Sequence, residues 1–124
     1  MNVVDSCGWL EYFSDGSNAD KFAEPIKDIS TLIVPTLILY EVFKVALRER
    51  GEDDALQVVA VMKQGRTVDL NSNLAIQAAK VSFDLKIPMA DAIILTTARA
   101  YQATVWTQDD HFSGINGVKY FSNR

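Results

Sequence analysis

The sequence predicts a single α/β domain in which helices flank a mainly parallel sheet of about five strands. Short β-branched runs alternate with segments of helical periodicity, which is the pattern of strand–helix–strand units. The chain has 124 residues, the length of one ordinary domain, and contains no repeat, low-complexity tract or linker, so we assign residues 1–124 to one domain. Right-handed connections between parallel strands then predict a three-layer sandwich.

The first part of the chain is predicted to contain a strand and two helices. The apolar run over residues 2–4 ends at Asp5 and Ser6, whose side chains can cap a helix. Residues 14–18 have the composition of a loop, and a modest helix follows over residues 19–26. The first helix directs four large side chains into the core: Trp9, Leu10, Tyr12 and Phe13.

The middle of the chain is predicted to form a second strand and a helical hairpin. The strand covers residues 32–34, and Thr36 is the expected N-cap of a long helix that ends at Gly51, a position where glycine is favoured. A second helix over residues 53–64 ends at Gly65. Two helices joined by so short a turn pack as an antiparallel pair.

The last part of the chain is predicted to complete the sheet. A third strand covers residues 67–70, and either Asn71 or Ser72 caps the helix that follows it. Pro88 ends that helix, because proline lacks the N–H that a helix interior requires. The remaining elements are a helix and two strands, at residues 89–101, 104–106 and 118–120.

The charge of the chain argues against a simple nucleic-acid binder. Twelve Lys and Arg against sixteen Asp and Glu give a formal net charge of −4, whereas a protein that holds phosphates by Coulomb attraction alone is basic. If four carboxylates converged on one site, the remaining charges would balance. The composition therefore directs attention to a local acidic cluster.

Cysteine content and hydropathy predict a cytoplasmic protein. The single Cys7 cannot form an internal disulfide, which is typical of a reducing compartment. The longest nearly apolar stretch, residues 31–40, is half of the ~20 residues that a membrane span needs. We expect no membrane association.

Four acidic residues are expected to meet at one edge of the sheet. Asp5 follows the first strand, Asp109 lies just beyond the fourth, and Glu41 and Asp91 lie in the predicted first turns of helices that open toward the same edge. Four ionised carboxylates repel one another unless cations intervene. With one His and one Cys the chain lacks the ligands of a typical zinc site, so Mg²⁺, with Mn²⁺ as a substitute, is the expected ion.

These acids lie in four segments whose order and spacing resemble a known family. The segments are Val-Val-Asp5-Ser6, Pro35-Thr-Leu-Ile-Leu-Tyr-Glu41-Val, Met89-Ala-Asp91-Ala-Ile-Ile-Leu-Thr-Thr-Ala98 and Thr107-Gln-Asp109-Asp-His-Phe112. The sequence resembles PIN-domain endoribonucleases, and most of all the VapC-type toxins of bacterial and archaeal toxin-antitoxin pairs. The resemblance covers essentially the whole chain.

The resemblance implies a site, an activity and partners. It implies a PIN-like fold in which Asp5, Glu41, Asp91 and Asp109 form an acidic pocket, with three of them, Asp5, Asp91 and Asp109, as metal ligands. Ser6 and Thr107 would support this pocket by hydrogen bonds. The implied activity is Mg²⁺-dependent hydrolysis of structured cellular RNA (tRNA, rRNA or mRNA) by a metal-activated water. A homodimer and a cognate antitoxin are the implied partners.

Two features depart from the family pattern or leave it ambiguous. Gly8 stands where other members often have larger residues. Asp109 and Asp110 are adjacent, and only Asp109 fits the Thr-x-Asp-x-x-Phe pattern.

Each site residue also has a simpler interpretation. Asp5 could be only a helix cap, Glu41 could form an ion pair with Lys44, and Asp91 could only favour a helix N-terminus. Lys44 and Arg48 share a helix face with Glu41, where they could contact RNA phosphates or form a solvated charged face. His111 is expected at the surface or behind the acidic residues, with a general-acid role as the alternative.

Three other functions fit parts of the sequence. A non-catalytic PIN-fold interaction module would not need the complete acid set. A phosphoacceptor signalling domain would have adjacent acids after the first strand, a phosphorylated Asp after the third and a Lys after the fifth, whereas here Asp69 lies within the predicted third strand. A nuclease that processes DNA would share the acidic site.

Overall fold

A computed structural model describes residues 1–123 and has the α/β architecture that the sequence predicts. Within these residues, one sheet contains five strands: β1 (Asn2–Val4), β2 (Leu32–Pro35), β3 (Arg66–Val68), β4 (Thr104–Thr107) and β5 (Val118–Tyr120). The same residues form six α-helices that flank the sheet: α1 (Ser6–Phe13), α2 (Ala19–Lys27), α3 (Thr36–Arg50), α4 (Glu52–Met62), α5 (Ser72–Leu85) and α6 (Met89–Ala100). Two short 3₁₀ turns lie at Ile29–Thr31 and Asp110–Phe112.

The sheet is parallel throughout, with β1 at its centre. The strand order is β3-β2-β1-β4-β5, and all four neighbouring pairs are parallel. Val3 pairs with Ile33 on one side and with Val105 on the other, and all three are buried. A central strand covered on both faces is a continuous apolar run, which explains why β1 contains no alternating polar positions after Asn2.

The helical hairpin that the sequence predicts is confirmed. The helices α3 and α4 pack against each other, and Gly51 joins them at φ +87°, a backbone conformation that favours glycine. The Gly51 N–H donates to the Leu47 carbonyl, and the Gly51 carbonyl accepts from the N–H of Ala55. One residue therefore ends the first helix and begins the second.

Some predicted boundaries are wrong by a few residues. The third strand ends at Val68 and not at Leu70, because its partner strand β2 ends at Pro35, the residue paired with Val68. Asn71 is the N-cap of α5 and accepts a hydrogen bond from the N–H of Leu74 at 2.9 Å. Thr36 is the first residue of α3 and not its cap, since extended Pro35 occupies the cap position.

Within residues 1–123, no helix combines the length and apolar character that crossing a membrane requires.

Candidate functional site

The carboxyl ends of β1 and β4 bring two of the predicted acids to one edge of the sheet. The Asp5 N–H donates to the Trp106 carbonyl at 3.0 Å, which extends the pairing of β1 with β4 by one residue. Asp109 lies two residues beyond the end of β4. Asp91 lies in the first turn of α6, as predicted. Glu41 lies in the second turn of α3 and not in the first, because this helix begins at Thr36.

A buried hydroxyl connects the ends of these two strands. The Thr107 hydroxyl donates to Asp5 Oδ2 at 2.8 Å and accepts from the backbone N–H of Asp109 at 3.0 Å. Asp5 Oδ1 accepts from the N–H of Ser6 at 2.8 Å, so Asp5 caps α1. Thr107 is fully buried, and its hydroxyl fixes the Asp5 side chain relative to the loop that contains Asp109.

The Cys7 thiol completes this network, a role that the sequence does not predict. Its Sγ lies 3.4 Å from Asp5 Oδ2 and 3.3 Å from the Thr107 hydroxyl, and it accepts from the Gln108 N–H at 3.5 Å. Burial, followed by the negative charge of Asp5, raises the pKa of Cys7 to about 12. The thiol is therefore neutral near pH 7, and the structure gives it no nucleophilic character. The only feature of the sequence that could have indicated a role for Cys7 is its position two residues after Asp5, the cap of α1.

Asp91, Asp109 and His111 form the group of side chains best arranged to hold a cation. One ligand atom from each lies within 4.8 Å of the other two. The His111 ring Nδ1 is 3.1 Å from Asp91 Oδ2 and 3.3 Å from Asp109 Oδ1. Asp109 Oδ1 also accepts from the backbone N–H of His111 at 3.0 Å, which caps the 3₁₀ turn at Asp110–Phe112.

The pKa values of Asp91, Asp5 and His111 are all raised. Burial, followed by the charges of Asp109 and Asp5, raises the pKa of Asp91 to about 6, although His111 partly offsets the shift. Burial also raises the pKa of Asp5, against the hydrogen bonds from Thr107 and Ser6 that lower it. The charge of Asp109 is the main cause of the raised pKa of His111. The four groups share one electrostatic environment.

Glu41 belongs to the same environment. Burial raises its pKa, and so do the charges of Asp5 and Asp91, whereas the Ser6 side chain lowers it. Within the described residues its buried Oε1 has no hydrogen-bond partner. A buried carboxylate oxygen without a partner costs free energy unless a proton, a water or a cation satisfies it.

These observations fit a divalent cation. The carboxylate oxygens suit Mg²⁺ or Mn²⁺, the imidazole nitrogen suits Mn²⁺, and a cation is one of the partners that could satisfy the orphan oxygen of Glu41. This group of three contains His111 and not Asp5, and the role of Asp5 as a metal ligand stays a prediction. Both Asp5 oxygens accept hydrogen bonds from the protein, and Asp5 acts on Asp91 through its charge.

The basic residues on α3 lie outside this cluster. Lys44 and Arg48 are exposed; the Lys44 ammonium lies 5.8 Å from the centre of the Tyr40 ring, and Arg48 is 3.5 Å from Glu49 Oε1. In the described part of the chain, no ion pair joins Lys44 to Glu41. The simpler interpretation of Glu41 as an ion-pair partner is therefore not supported.

Comparisons with known proteins agree with the fold. The family model of the PIN domain matches residues 3–118. A toxin-antitoxin complex from Klebsiella pneumoniae contains a chain with a TM-score of 0.85 and 18% identity, and the match covers 98% of this chain and 99% of that chain. The sarcin-ricin loop cleaving toxin VapC20 from Mycobacterium tuberculosis has a TM-score of 0.76 and 14% identity, over 94% and 95% of the two chains.

A third structure of the same fold is DNA-bound VapBC from Salmonella typhimurium, with a TM-score of 0.74, 16% identity and complete coverage of both chains. At these identities the likeness shows a shared fold. A comparison of the sequence with curated proteins finds no significant match.

Proposed function

The chain belongs to the PIN-domain family, and from this premise we propose that it is a divalent-metal-dependent endoribonuclease that hydrolyses phosphodiester bonds. One observation carries the proposal. Buried and partly buried acids converge at the carboxyl edge of the sheet with raised pKa values and an orphan oxygen on Glu41, an arrangement that a cation would stabilise. A structured cellular RNA (tRNA, rRNA or mRNA) is the proposed substrate.

The acidic residues of the site would have two roles, cation binding and supply of negative charge. Asp91 and Asp109 would hold the cation, Mg²⁺ or Mn²⁺ in its place, with Asp5 and Glu41 supplying the remaining negative charge. When bound, the ion lowers the pKa of a water and stabilises charge on the phosphoryl group. Thr107 orients Asp5, and Ser6 acts in the same way on Glu41. Lys44 and Arg48, which are exposed, are the proposed contacts for RNA phosphates.

We further propose that the protein is the toxin of a toxin-antitoxin pair. Chains of the same fold occur in a toxin-antitoxin complex and in DNA-bound VapBC, which supports a cognate antitoxin as the partner. A homodimer and a cytoplasmic location are part of the same proposal. Expression of the chain without its antitoxin is then expected to stop bacterial growth, and Asp91→Asn is expected to restore it.

A phosphoacceptor domain is not favoured by the positions of its required residues. Asp69 does follow β3, but β3 lies at the edge of the sheet, two strands from β1 and Asp5. Lys119 lies within β5, where its ammonium is 4.3 Å from the centre of the Trp106 ring. Neither residue lies beside the acidic cluster. A non-catalytic module is disfavoured by the energetic cost of retaining buried acids without a ligand.

The decisive experiment is cleavage of total cellular RNA by the purified protein. We expect discrete fragments with Mg²⁺ or Mn²⁺ and none with EDTA. Asp91→Asn should lower the rate by at least about 100-fold, because changes behind a metal ligand alone cost 10–100-fold. Asp110→Asn is the matched control: it removes the same charge from an exposed neighbour of the cluster and should leave cleavage intact.

Two results would contradict the proposal. One is normal cleavage by a folded Asp91→Asn protein in the presence of EDTA, which would exclude metal-dependent catalysis at this site. The other is no cleavage with either ion by wild-type protein that is folded and free of antitoxin, which would favour the non-catalytic module.

A further inference from the structure

His111 faces the two acids that are best placed to hold a cation. The sequence predicts this residue at the surface or behind the site, and 56% of its side chain is indeed exposed. Its ring nevertheless turns toward the cluster, with Nδ1 at 3.1 Å from Asp91 Oδ2 and 3.3 Å from Asp109 Oδ1. No other imidazole exists in the chain, since His111 is its single histidine.

The spacing of these three atoms is that of neighbouring ligands on one ion. Octahedral coordination at 2.0–2.1 Å places adjacent ligand atoms about 3.0 Å apart. The two nitrogen–oxygen distances are 3.1 and 3.3 Å, and all three atoms lie within 4.8 Å of one another. Small movements of the side chains would bring the three atoms onto one cation.

The backbone holds the ring in this orientation. Asp109 Oδ1 accepts from the backbone N–H of His111 at 3.0 Å, and the next residue, Phe112, is fully buried. The backbone on both sides of His111 is thus fixed, by the hydrogen bond to Asp109 before it and by the buried Phe112 after it. Because most of the ring is exposed, core packing does not determine its direction, and the two carboxylates provide its polar contacts.

We propose that His111 supplies Nδ1 as a ligand to the cation held by Asp91 and Asp109, giving a site of two carboxylates and one imidazole. The inference rests on the proposed metal-dependent function. Imidazole nitrogen suits first-row transition metals, whereas Mg²⁺ prefers an all-oxygen environment. The nitrogen therefore increases the preference of the site for Mn²⁺ over Mg²⁺, and removal of the ring reduces this preference.

The test is pulsed electron paramagnetic resonance of Mn²⁺ bound to tag-free protein. A directly coordinated imidazole produces nitrogen modulation, and with one histidine in the chain that signal has a single source. We expect the modulation in the wild-type protein and in Asp110→Asn, and its loss in His111→Ala and His111→Gln. Mn²⁺ affinity should fall about tenfold or more in both His111 variants, by analogy with the loss of supporting ligands. Mg²⁺ affinity should change less.

Other outcomes overturn the inference. If the wild-type protein binds Mn²⁺ without nitrogen modulation, or if both His111 variants bind Mn²⁺ as tightly as the wild type, the ring is not a ligand. Tighter Mn²⁺ binding by the two His111 variants would mean that the protonated ring competes with the metal ion for the carboxylates. In each of these cases RNA cleavage by the wild-type protein would leave the proposed nuclease standing. Absence of both metal binding and RNA cleavage would overturn the two proposals together.

Discussion

Asp5, Glu41 and Asp91 all have raised pKa values, and the consequence is that their ionisation in the metal-free site opposes folding near neutral pH. For the acids, burial comes first among the causes and repulsion between carboxylates adds to it. A folded state that binds more protons than the unfolded chain loses stability as pH rises. A divalent cation would reverse this effect, since it neutralises the charges that burial disfavours.

The pH dependence can be predicted for Asp91. Below its ordinary pKa of 3.8 the carboxyl is protonated in both states, and between 3.8 and about 6 it ionises in the unfolded chain first. Stability is therefore lost over this interval and stays lower above it. In thermal unfolding of metal-free protein, the Tm of Asp91→Asn should exceed that of the wild type by an amount that grows from pH 4 to pH 6.5. A difference independent of pH would contradict the raised pKa.

The Thr107 hydroxyl offers a second test. Thr107→Val removes the donor to Asp5 Oδ2 and leaves the Asp109 N–H without its acceptor, so we expect a loss of ~1–3 kcal/mol in unfolding free energy. RNA cleavage should fall about 10–100-fold. Denaturant unfolding and cleavage rates measure the two effects.

The matched control is Thr96→Val on α6. Thr96 is also buried, but its hydroxyl has no hydrogen-bond partner within the described residues. The same substitution there should leave stability unchanged or raise it, with cleavage intact. Equal losses at the two positions would mean that the Thr107 network has no special role.

At the scale of residues, the sequence predicts which side chains belong to the candidate site better than it predicts which of them contact one another. The four acids are recognisable because the sequence predicts them after strands or near the starts of helices, and Thr107 is recognisable through the resemblance to the PIN-domain family. The positions of Cys7 and His111 in the site are not recognisable from the sequence, because the direction of a side chain depends on the turn that contains it. For His111 that turn is a 3₁₀ turn capped by Asp109, which spacing alone does not reveal.

At the scale of elements, Gly8 explains how α1 approaches its neighbours. A Cβ at this position would lie 2.7 Å from Phe22 Cδ1 and 2.8 Å from Val4 Cγ1. The glycine that departs from the family pattern is therefore required by the close approach of α1 to α2 and β1. An alanine in a helix interior ordinarily stabilises it by about 1 kcal/mol relative to glycine.

We expect the opposite sign for Gly8→Ala, a loss of about 1–3 kcal/mol from overpacking. Denaturant unfolding measures it. Phe22→Leu should also destabilise the protein, by leaving a gap, and the double variant should lose less than the two single variants together. Simple additivity, or a stabilising Gly8→Ala, would show that the close approach is relieved without cost.

The boundaries of elements depend on partners that a local pattern does not contain. The number of strands and α-helices and their order along the chain are predicted correctly, since apolar periodicity and the caps Asp5 and Asn71 are local signals. The end of β3 is not, because it is determined by Pro35 in the neighbouring strand β2.

At the scale of the whole molecule, the outer surface of α5 and the start of α6 expose large apolar side chains. Ile76, Phe83 and Met89 are 72%, 83% and 72% exposed. Ile76 and Phe83 are seven residues apart and share one helix face. Burying side chains of this size contributes roughly 1.5–3 kcal/mol each, so we expect this face to be the contact of the proposed homodimer.

Light scattering should therefore give wild-type protein a mass of twice 13.8 kDa, and Phe83→Glu should halve it. Leu56→Glu on α4 is the control, because Leu56 is also exposed, at 52%, but lies on a different helix. It should remain a dimer. A monomeric wild-type protein would refute the homodimer, and dissociation only by Leu56→Glu would move the interface to α4.

The central position of β1 has a consequence for synthesis of the protein. The bond between Thr107 and Asp5 joins residues 102 positions apart, so about a hundred further residues are synthesised after Asp5 before its hydrogen-bond partner exists. At 5–20 residues per second that interval lasts on the order of 5–20 s. Nascent and prematurely terminated chains lack Thr107 and Asp109 and have no complete site. The proposed ribonuclease activity therefore requires that synthesis has passed Asp109.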